Sequence, residues 1–301
     1  MNRMKKVGIE TKLELIPGES AGEIASSFQM PLWPERSRGL PNSIARSALF
    51  SVGSRAVRRN LKNAEIASFK DTLMTYTGSE LRQDDEDVFL QLVHLMRGRP
   101  AVDIVEFSAY GMLKELGWGY SKRAYDRLRD CLDRLKANAL KVESKDNGRP
   151  FVYSGSLIRK YLATDSAGAR QSWQVWFEKE VVRLFGPMSY SELEWSQRSQ
   201  LKGEVSKWLH GFFVTMVDCP PVRIEDLKAL CGSQCASIRA FRQMLKNAFQ
   251  ELKDVGFVWD FKVEIDYVYV SRDAAQPINR VKPSHMIESP SDHLQKDLAM
   301  T

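Results

Sequence analysis

The feature that most restricts the fold is a repeated order of elements around two long amphipathic stretches. YSKRAYDRLRDCLDRLKANAL (residues 120–140) and CASIRAFRQMLKNAFQELKDVG (residues 235–256) carry one apolar stripe: Leu128, Leu132, Leu135 and Lys136 recur as Leu245, Phe249, Leu252 and Lys253, at a constant offset of 117. Apolar residues three and four apart share one side of a helix, so each stretch predicts a helix with one buried face. Each is preceded by a short β-like run, VDIVEF or VRI, and by a short helix closed at a glycine. The first short helix, SAYGMLKELG, has Ser108 as its cap and ends at Gly117; the second, EDLKALCG, ends at Gly232. Alternating runs follow in both places: LKVES, the turn KDNGRP and FVYSGSLIRKYLATD with WQVWFEK in the first, and FVWDFKVEIDYVYVSR in the second. A strand, a helix, a turn, a longer helix and a β-hairpin wing, present twice, predict an α+β chain of tandem winged-helix domains.

Around this core the expected organisation is a flexible basic N-terminal arm over 1–63, a first winged helix over 64–186, a second over 187–272 and a disordered tail over 273–301. The arm is inferred from Pro17, Pro31, Pro34 and Pro41 and from the lack of any sustained periodicity. It also holds the charge asymmetry: residues 1–62 carry 11 basic and 5 acidic side chains, which equals the net +6 of the whole chain. IASFKDTLMTYTG reads as a strand or hairpin. SELRQDDEDVFLQLVHLMRG reads as a helix with Ser79 as its cap, acidic residues in its first turns and a stop at Gly98 and Pro100.

A basic helix preceded by a tight turn suits the major groove of DNA, where arginine pairs with guanine and glutamine with adenine. On the first long helix the candidates are Lys122, Arg123, Arg127 and Arg134, expected on the open side with Arg129. On the second they are Ser237, Arg239, Arg242, Gln243 and Lys246. Arg55, Arg58 and Arg59, with Lys62, are expected to follow phosphates or enter a minor groove as a basic arm does. The alternative for every one of these is a solvated charged face or linker. Trp173, Trp176 and Phe177 could stack on single-stranded bases, but their period-two spacing fits a half-buried strand better. Gln29, Met30, Leu32 and Trp33 form a short glutamine-plus-aromatic peptide of the kind that enters a hydrophobic pocket on a partner.

Other chemistry finds little footing. His210, Cys219, Cys231 and Cys235 lack C-x-x-C spacing, so no metal site is expected, and the four cysteines read as reduced thiols. There is no phosphate-binding G-x-x-x-x-G-K-[ST] loop, no paired histidines for a metal-dependent nickase and no G-x-S-x-G nucleophile, so no enzyme and no cofactor are expected. Without a long apolar run or a signal peptide, the expected location is the cytoplasm, with no membrane contact.

WPERSRGLPNSIARSALF, YTGSELRQDDEDVF and EDLKALCGSQCASIRAFRQ are similar, in this order and over about Pro31 to Arg272, to TrfA-type plasmid replication initiators. The resemblance implies tandem winged helices that bind direct repeats (iterons) in double-stranded plasmid origin DNA and open a neighbouring A·T-rich segment, exposing single strands. It further implies recruitment of the host replicative helicase with the host initiator DnaA, a monomer–dimer equilibrium with active monomers, and contact with the host sliding clamp. The clamp contact would fall to Gln29, Met30, Leu32 and Trp33, although QMPLW departs from the usual Q-L-x-L-F pattern and sits unusually close to WP. A winged-helix repressor of its own promoter is the alternative reading.

Overall fold

The computed structural model describes residues 29–272, apart from 55, 70–71, 101–103, 147–148, 165–171 and 187–188. The expected disordered tail and the first 28 residues of the expected arm therefore lie outside the described residues.

The chain opens with β1 (Ser37–Pro41), the short helix α1 (Asn42–Ala45) and β2 (Phe50–Ser51). Strands β3 (Asn60–Ile66), β4 (Leu73–Ser79) and β5 (Leu81–Arg82) then lead into helix α2 (Gln83–Met96). The first repeat runs through β6 (Val105–Ser108), α3 (Ala109–Glu115), α4 (Lys122–Lys136), β7 (Ala139–Asp146), β8 (Arg149–Gly155), β9 (Lys160–Thr164) and β10 (Ser172–Trp176). After a 3₁₀ turn at Lys179–Phe185 and β11 (Tyr190–Glu194) come α5 (Trp195–Gln200) and α6 (Glu204–Val214). The second repeat is β12 (Val222–Arg223), α7 (Ile224–Leu230), α8 (Ile238–Asp254), β13 (Asp260–Val263) and β14 (Tyr267–Ser271).

The two repeats have the same sheet order: β6-β10-β9 in one and β12-β14-β13 in the other, with the first strand pairing to the last. Each also has a helix before its first strand packed on its long helix, α2 on α4 and α6 on α8. The hairpin expected as the first wing, β7–β8, instead extends β3 and β4 into a four-stranded antiparallel sheet, β3-β4-β7-β8. The strands equivalent to β13–β14 are β9 and β10. Apolar side chains gather into two clusters, one from Met30 to Trp195 and one made of Val52 with Leu201 to Val270.

From residue 29 the expected flexible arm is folded. β1 pairs with β11, Ser37 opposite Glu194 and Pro41 opposite Tyr190, and all five of its residues are buried. Met30 is 1% and Trp33 2% exposed. The Trp33 ring lies against Phe185 and Tyr190, and it passes so close to Gly39 that a Cβ there would meet its Cζ3 at 2.8 Å. The Trp33 indole N–H donates to His94 Nδ1 at 3.1 Å. That leaves the proton on His94 Nε2, which faces Glu35 Oε1 at 3.2 Å. A proline-rich stretch without periodicity is thus ordered by long-range partners rather than by its own pattern.

Helix α2 gives its apolar side chains to the first cluster, touches α6 of the second unit and is buried almost throughout, its acidic first turns included. Its cap is Arg82 rather than Ser79, which ends β4; the Arg82 backbone N–H donates to Asp85 Oδ2 at 2.8 Å. Buried carboxylates are costly unless paired and hydrogen-bonded, and these are paired on both sides. From α5, Arg198 is fully buried and reaches Asp87 (2.7 Å), Glu86 (3.0 Å) and the Gln83 carbonyl oxygen Oε1 (3.1 Å), while Lys207 of α6 also holds Asp87. Burial works against the charge on Asp87, but Lys207 and Arg198 outweigh it and hold the carboxyl below its usual range.

Arg198→Met, which keeps the volume but leaves Glu86 and Asp87 short of a counter-charge, is expected to cost about 3–5 kcal/mol of unfolding free energy in chemical denaturation. A second expectation concerns two buried imidazoles. Burial, aided by Arg38, lowers His94 to about 4; burial, aided by Arg198 and Arg272, lowers His210 to about 3. Unfolded histidine takes up its proton near pH 6.5 while these stay neutral, so acidification through the window from about 6.5 to 4 stabilises the unfolded chain. In pH-dependent denaturation His210→Gln is expected to remove up to one proton, about 1.36 kcal/mol per pH unit, from the slope between pH 6.5 and 5.

Candidate nucleic-acid interface

Each repeat presents its long helix by the same local device. The short helices α3 and α7 are seven residues each and lie 115 positions apart. Both end in a glycine with φ of +65°, Gly117 and Gly232, a left-handed conformation that favours glycine. The residue after each glycine closes the helix end, Trp118 N–H donating to Leu113 O and Ser233 N–H to Lys228 O. A serine then caps the long helix: Ser121 Oγ accepts from Ala124 N–H and Ser237 Oγ from Ala240 N–H. One extra residue between glycine and serine in the second repeat turns the offset of 115 for the short helices into 116 at the serine caps, while the apolar stripes of the long helices match at 117.

The open faces differ in charge. On α8, Arg239, Gln243, Lys246, Asn247 and Gln250 are exposed, while Phe241, Leu245, Ala248, Phe249 and Leu252 are buried. The open surface from Arg239 to Gln250 therefore carries cations and amides and no carboxylate. Gln243 Nε2 donates to Asn247 Oδ1 at 3.0 Å, aligning two amides one helical turn apart. Arg242 is half-buried, and its Nη2 donates to Ile265 O at 2.5 Å, tying the helix to the turn between β13 and β14. That turn exposes Glu264, Ile265 and Asp266, so its tip is acidic and apolar rather than phosphate-seeking. On α4 the exposed cations Lys122, Arg123 and Arg129 alternate with exposed Asp126, Asp130 and Asp133.

Residues 22–272 match the family model described as TrfA protein. This chain belongs to the TrfA family. It is 30% identical over 250 residues to the plasmid replication initiator protein TrfA of Escherichia coli, covering 82% of this chain and 65% of that relative, and so spans just under two thirds of the relative's length. Among solved structures, domains 2 and 3 of RctB match with a TM-score of 0.50 at 11% identity, covering 77% of this chain and 97% of that one. The Pi initiator protein in complex with iteron DNA matches with a TM-score of 0.45 at 13% identity, covering 64% and 91%. The RctB likeness is one of fold.

In this TrfA-family chain several basic residues expected to face DNA point inward. Arg127 stacks on the Trp118 ring at 3.5 Å and has its Nε 3.4 Å from Asp84 Oδ2; Arg134 Nε is 2.9 Å from Asp85 Oδ1. Burial opposes the charge on Arg134, yet Asp85 raises its pKa. Arg58 is buried against Asp84 (2.9 Å) and Asp85 (2.6 Å), and Arg59, though half-exposed, is held by Glu80 at 2.5 Å. The basic arm is thus paired with the first turn of α2 at Arg58 and with Glu80, just before β5, at Arg59; Arg55 lies outside the described residues. Ser237 is occupied as a cap. Met30 and Trp33 are core residues, so QMPLW is not a free peptide, although Leu32 is 76% exposed and Gln29 is exposed with its Nε2 toward Gly98 O. Lys122, Arg123, Arg239, Gln243 and Lys246 stand exposed where a groove could take them.

Trp173 and Phe177 are buried, in keeping with the core alternative, while Trp176 is half-buried beneath the Lys160 ammonium. His210 packs edge-on against Phe257. Asp84, Asp85 and Cys131 bring ligand-type atoms within 4.8 Å of one another, but Arg58, Arg127 and Arg134 already supply the positive charge. Burial and the two carboxylates push the Cys131 thiol well up, so it stays protonated. No helix among the described residues is long and apolar enough to cross a membrane.

The pairing residues sequence reasoning missed had one signal: Arg127, Cys131 and Arg134 are spaced along a single helix edge beside the apolar stripe, as inward-facing residues are. Arg134→Ala is expected to cost about 1–3 kcal/mol of stability by leaving a buried carboxylate short of a donor. The same variant should leave the ratio of specific to non-specific DNA binding unchanged in filter-binding or anisotropy titrations.

Proposed function

We propose that this chain is a plasmid replication initiator that binds repeated sites in double-stranded origin DNA through two winged helices. The first is built from α2, β6, α3, α4, β9 and β10 and the second from α6, β12, α7, α8, β13 and β14. The observation that carries the reading is the repeated glycine turn and serine cap, which present two equivalent long helices, one with arginine, lysine, glutamine and asparagine and no carboxylate on its open face from Arg239 to Gln250. Membership in the TrfA family, and a relative described as a plasmid replication initiator, support the same reading.

In this proposal Arg239 and Gln243 read base edges, and Lys122, Arg123 and Lys246 meet phosphates or bases at the groove edge. Arg242 sets the second wing by its bond to Ile265 O. The acidic tip of that wing assigns affinity to the helix rather than to the wing. Opening of an A·T-rich neighbour then draws on binding free energy, since deforming a site costs on the order of 1–6 kcal/mol that several bound copies can offset together. Recruitment of the host helicase and DnaA completes the proposed role, which requires no covalent chemistry of the chain.

The test is titration of the purified protein, at several salt concentrations, with duplexes carrying direct repeats from its own plasmid and with scrambled duplexes of equal composition. Repeat-selective binding at about 0.15 M salt is expected, with Arg239→Ala and Gln243→Ala each losing about 1–3 kcal/mol on repeats only. Lys246→Ala should weaken both duplexes alike and lower the salt slope by about 1. Equal binding to repeats and scrambled DNA by the unaltered protein would sink the proposal.

A further inference from the structure

The two units share a scaffold but not the side chains at its front. Tyr110, the second residue of α3, and Tyr120, the residue before the cap of α4, are 55% and 51% exposed. Their rings stack on each other with centroids 4.6 Å and planes 22° apart. A single exposed apolar side chain is ordinary, but two tyrosines held ring to ring form a patch, and tyrosine is enriched where a partner is bound. The matching positions of the second unit hold Glu225, the second residue of α7, and Ala236, the residue before the cap of α8. The patch is therefore no requirement of the glycine turn or the serine cap, both of which the second unit builds without it.

The surroundings of the patch define its partner. It adjoins the first turn of α4, where Lys122 and Arg123 are exposed, and Arg123 is the counterpart of Arg239 at the cap offset of 116. A cleft of about 720 Å³ borders Tyr110, and Lys122 and Arg129 line it without an ion-pair partner among the described residues. These cations suit DNA, yet Asp126 and Asp130 are exposed on the same helix, so a phosphate strand laid along α4 meets repulsion as well as attraction. Contact through the rings has no such cost. The two phenols hydrogen-bond to each other, which leaves ring surface as the main thing the pair offers. On the base edges of the major groove the apolar feature is the C5-methyl of thymine, and the front of a recognition helix is the part that reaches those edges.

We infer that Tyr120, braced by Tyr110, packs against a thymine methyl group in the major groove. The first unit thereby selects thymine through apolar contact, while the second reads through cations and amides. The contact rests on the proposed DNA reading. In it Tyr120 touches the base, and Tyr110 is a positioning residue that holds the ring.

The experiment replaces thymine by deoxyuridine, one position at a time, in a duplex carrying the repeats, which removes a methyl group and keeps every hydrogen bond. Binding of the full-length protein is followed by fluorescence anisotropy. At one or two thymines in each repeat the unaltered protein is expected to lose about fourfold in affinity, the worth of one buried methyl-sized group. Tyr120→Ala should bind the thymine duplex about fourfold or more weakly and show no further loss at those positions. Tyr110→Ala should show a smaller loss there than the unaltered protein, a readout that altered stability alone does not move. Tyr120→Phe keeps the ring and should behave as the unaltered protein does. Repeat-selective binding with the same deoxyuridine losses in the unaltered protein and in Tyr120→Ala overturns the contact, as does a Tyr120→Phe variant that loses as much as Tyr120→Ala. Equal binding of the unaltered protein to repeats and to scrambled duplexes is instead the failure of the DNA reading, and takes the contact with it.

Discussion

The structure depends on the pairing of the buried acidic turns of α2 with cations drawn from the whole length of the chain. Asp84 and Asp85 are held from one side by Arg58, Arg127 and Arg134, and Glu86 and Asp87 from the other by Arg198 and Lys207. Each of these ions is stable in the interior only while its partners are in place, because removing one leaves an uncompensated charge where water cannot reach. The N-terminal end of α2 adds its own preference for negative charge. One helix start thereby ties the chain before β3, the first long helix and the two helices that open the second unit into a single electrostatic unit.

This pairing also accounts for what was and was not legible in the sequence. The long helices α4 and α8 and the glycines that close the short helices before them follow from local spacing, and the structure has them where the pattern places them, whereas the caps Ser121 and Ser237 come from the structure alone. The direction in which Arg127 and Arg134 point does not follow from a charge count, because their partners lie some 40 to 50 residues away in the chain. Likewise Trp33, in a stretch of prolines with no period, is placed by a tryptophan–histidine bond and by a strand partner more than 150 residues downstream. Local patterns reveal elements; they do not reveal which non-local partner consumes a charged or aromatic side chain.

The hairpin expected as the first wing illustrates the same limit. The strongest hairpin signal after α4, carried by the sequence KDNGRP, belongs to strands β7 and β8, which complete the sheet begun by β3 and β4. The less conspicuous β9 and β10 take the place equivalent to β13 and β14. An inserted hairpin of good local quality can displace the reading of a wing without altering the topology of the repeat.

Arg198, fully buried between α5 and α2, has a consequence for geometry as well as for stability. Because it and Lys207 clamp the second unit onto the helix that also supports α4, the separation and angle between α4 and α8 are set by packed side chains rather than by a tether. For a chain that reads DNA with both helices, such rigidity acts as a ruler. On the proposed function, two contact points fixed in space would meet a double helix only where the bases they read lie at one helical phase, which would make base-pair spacing within a repeat part of what is recognised.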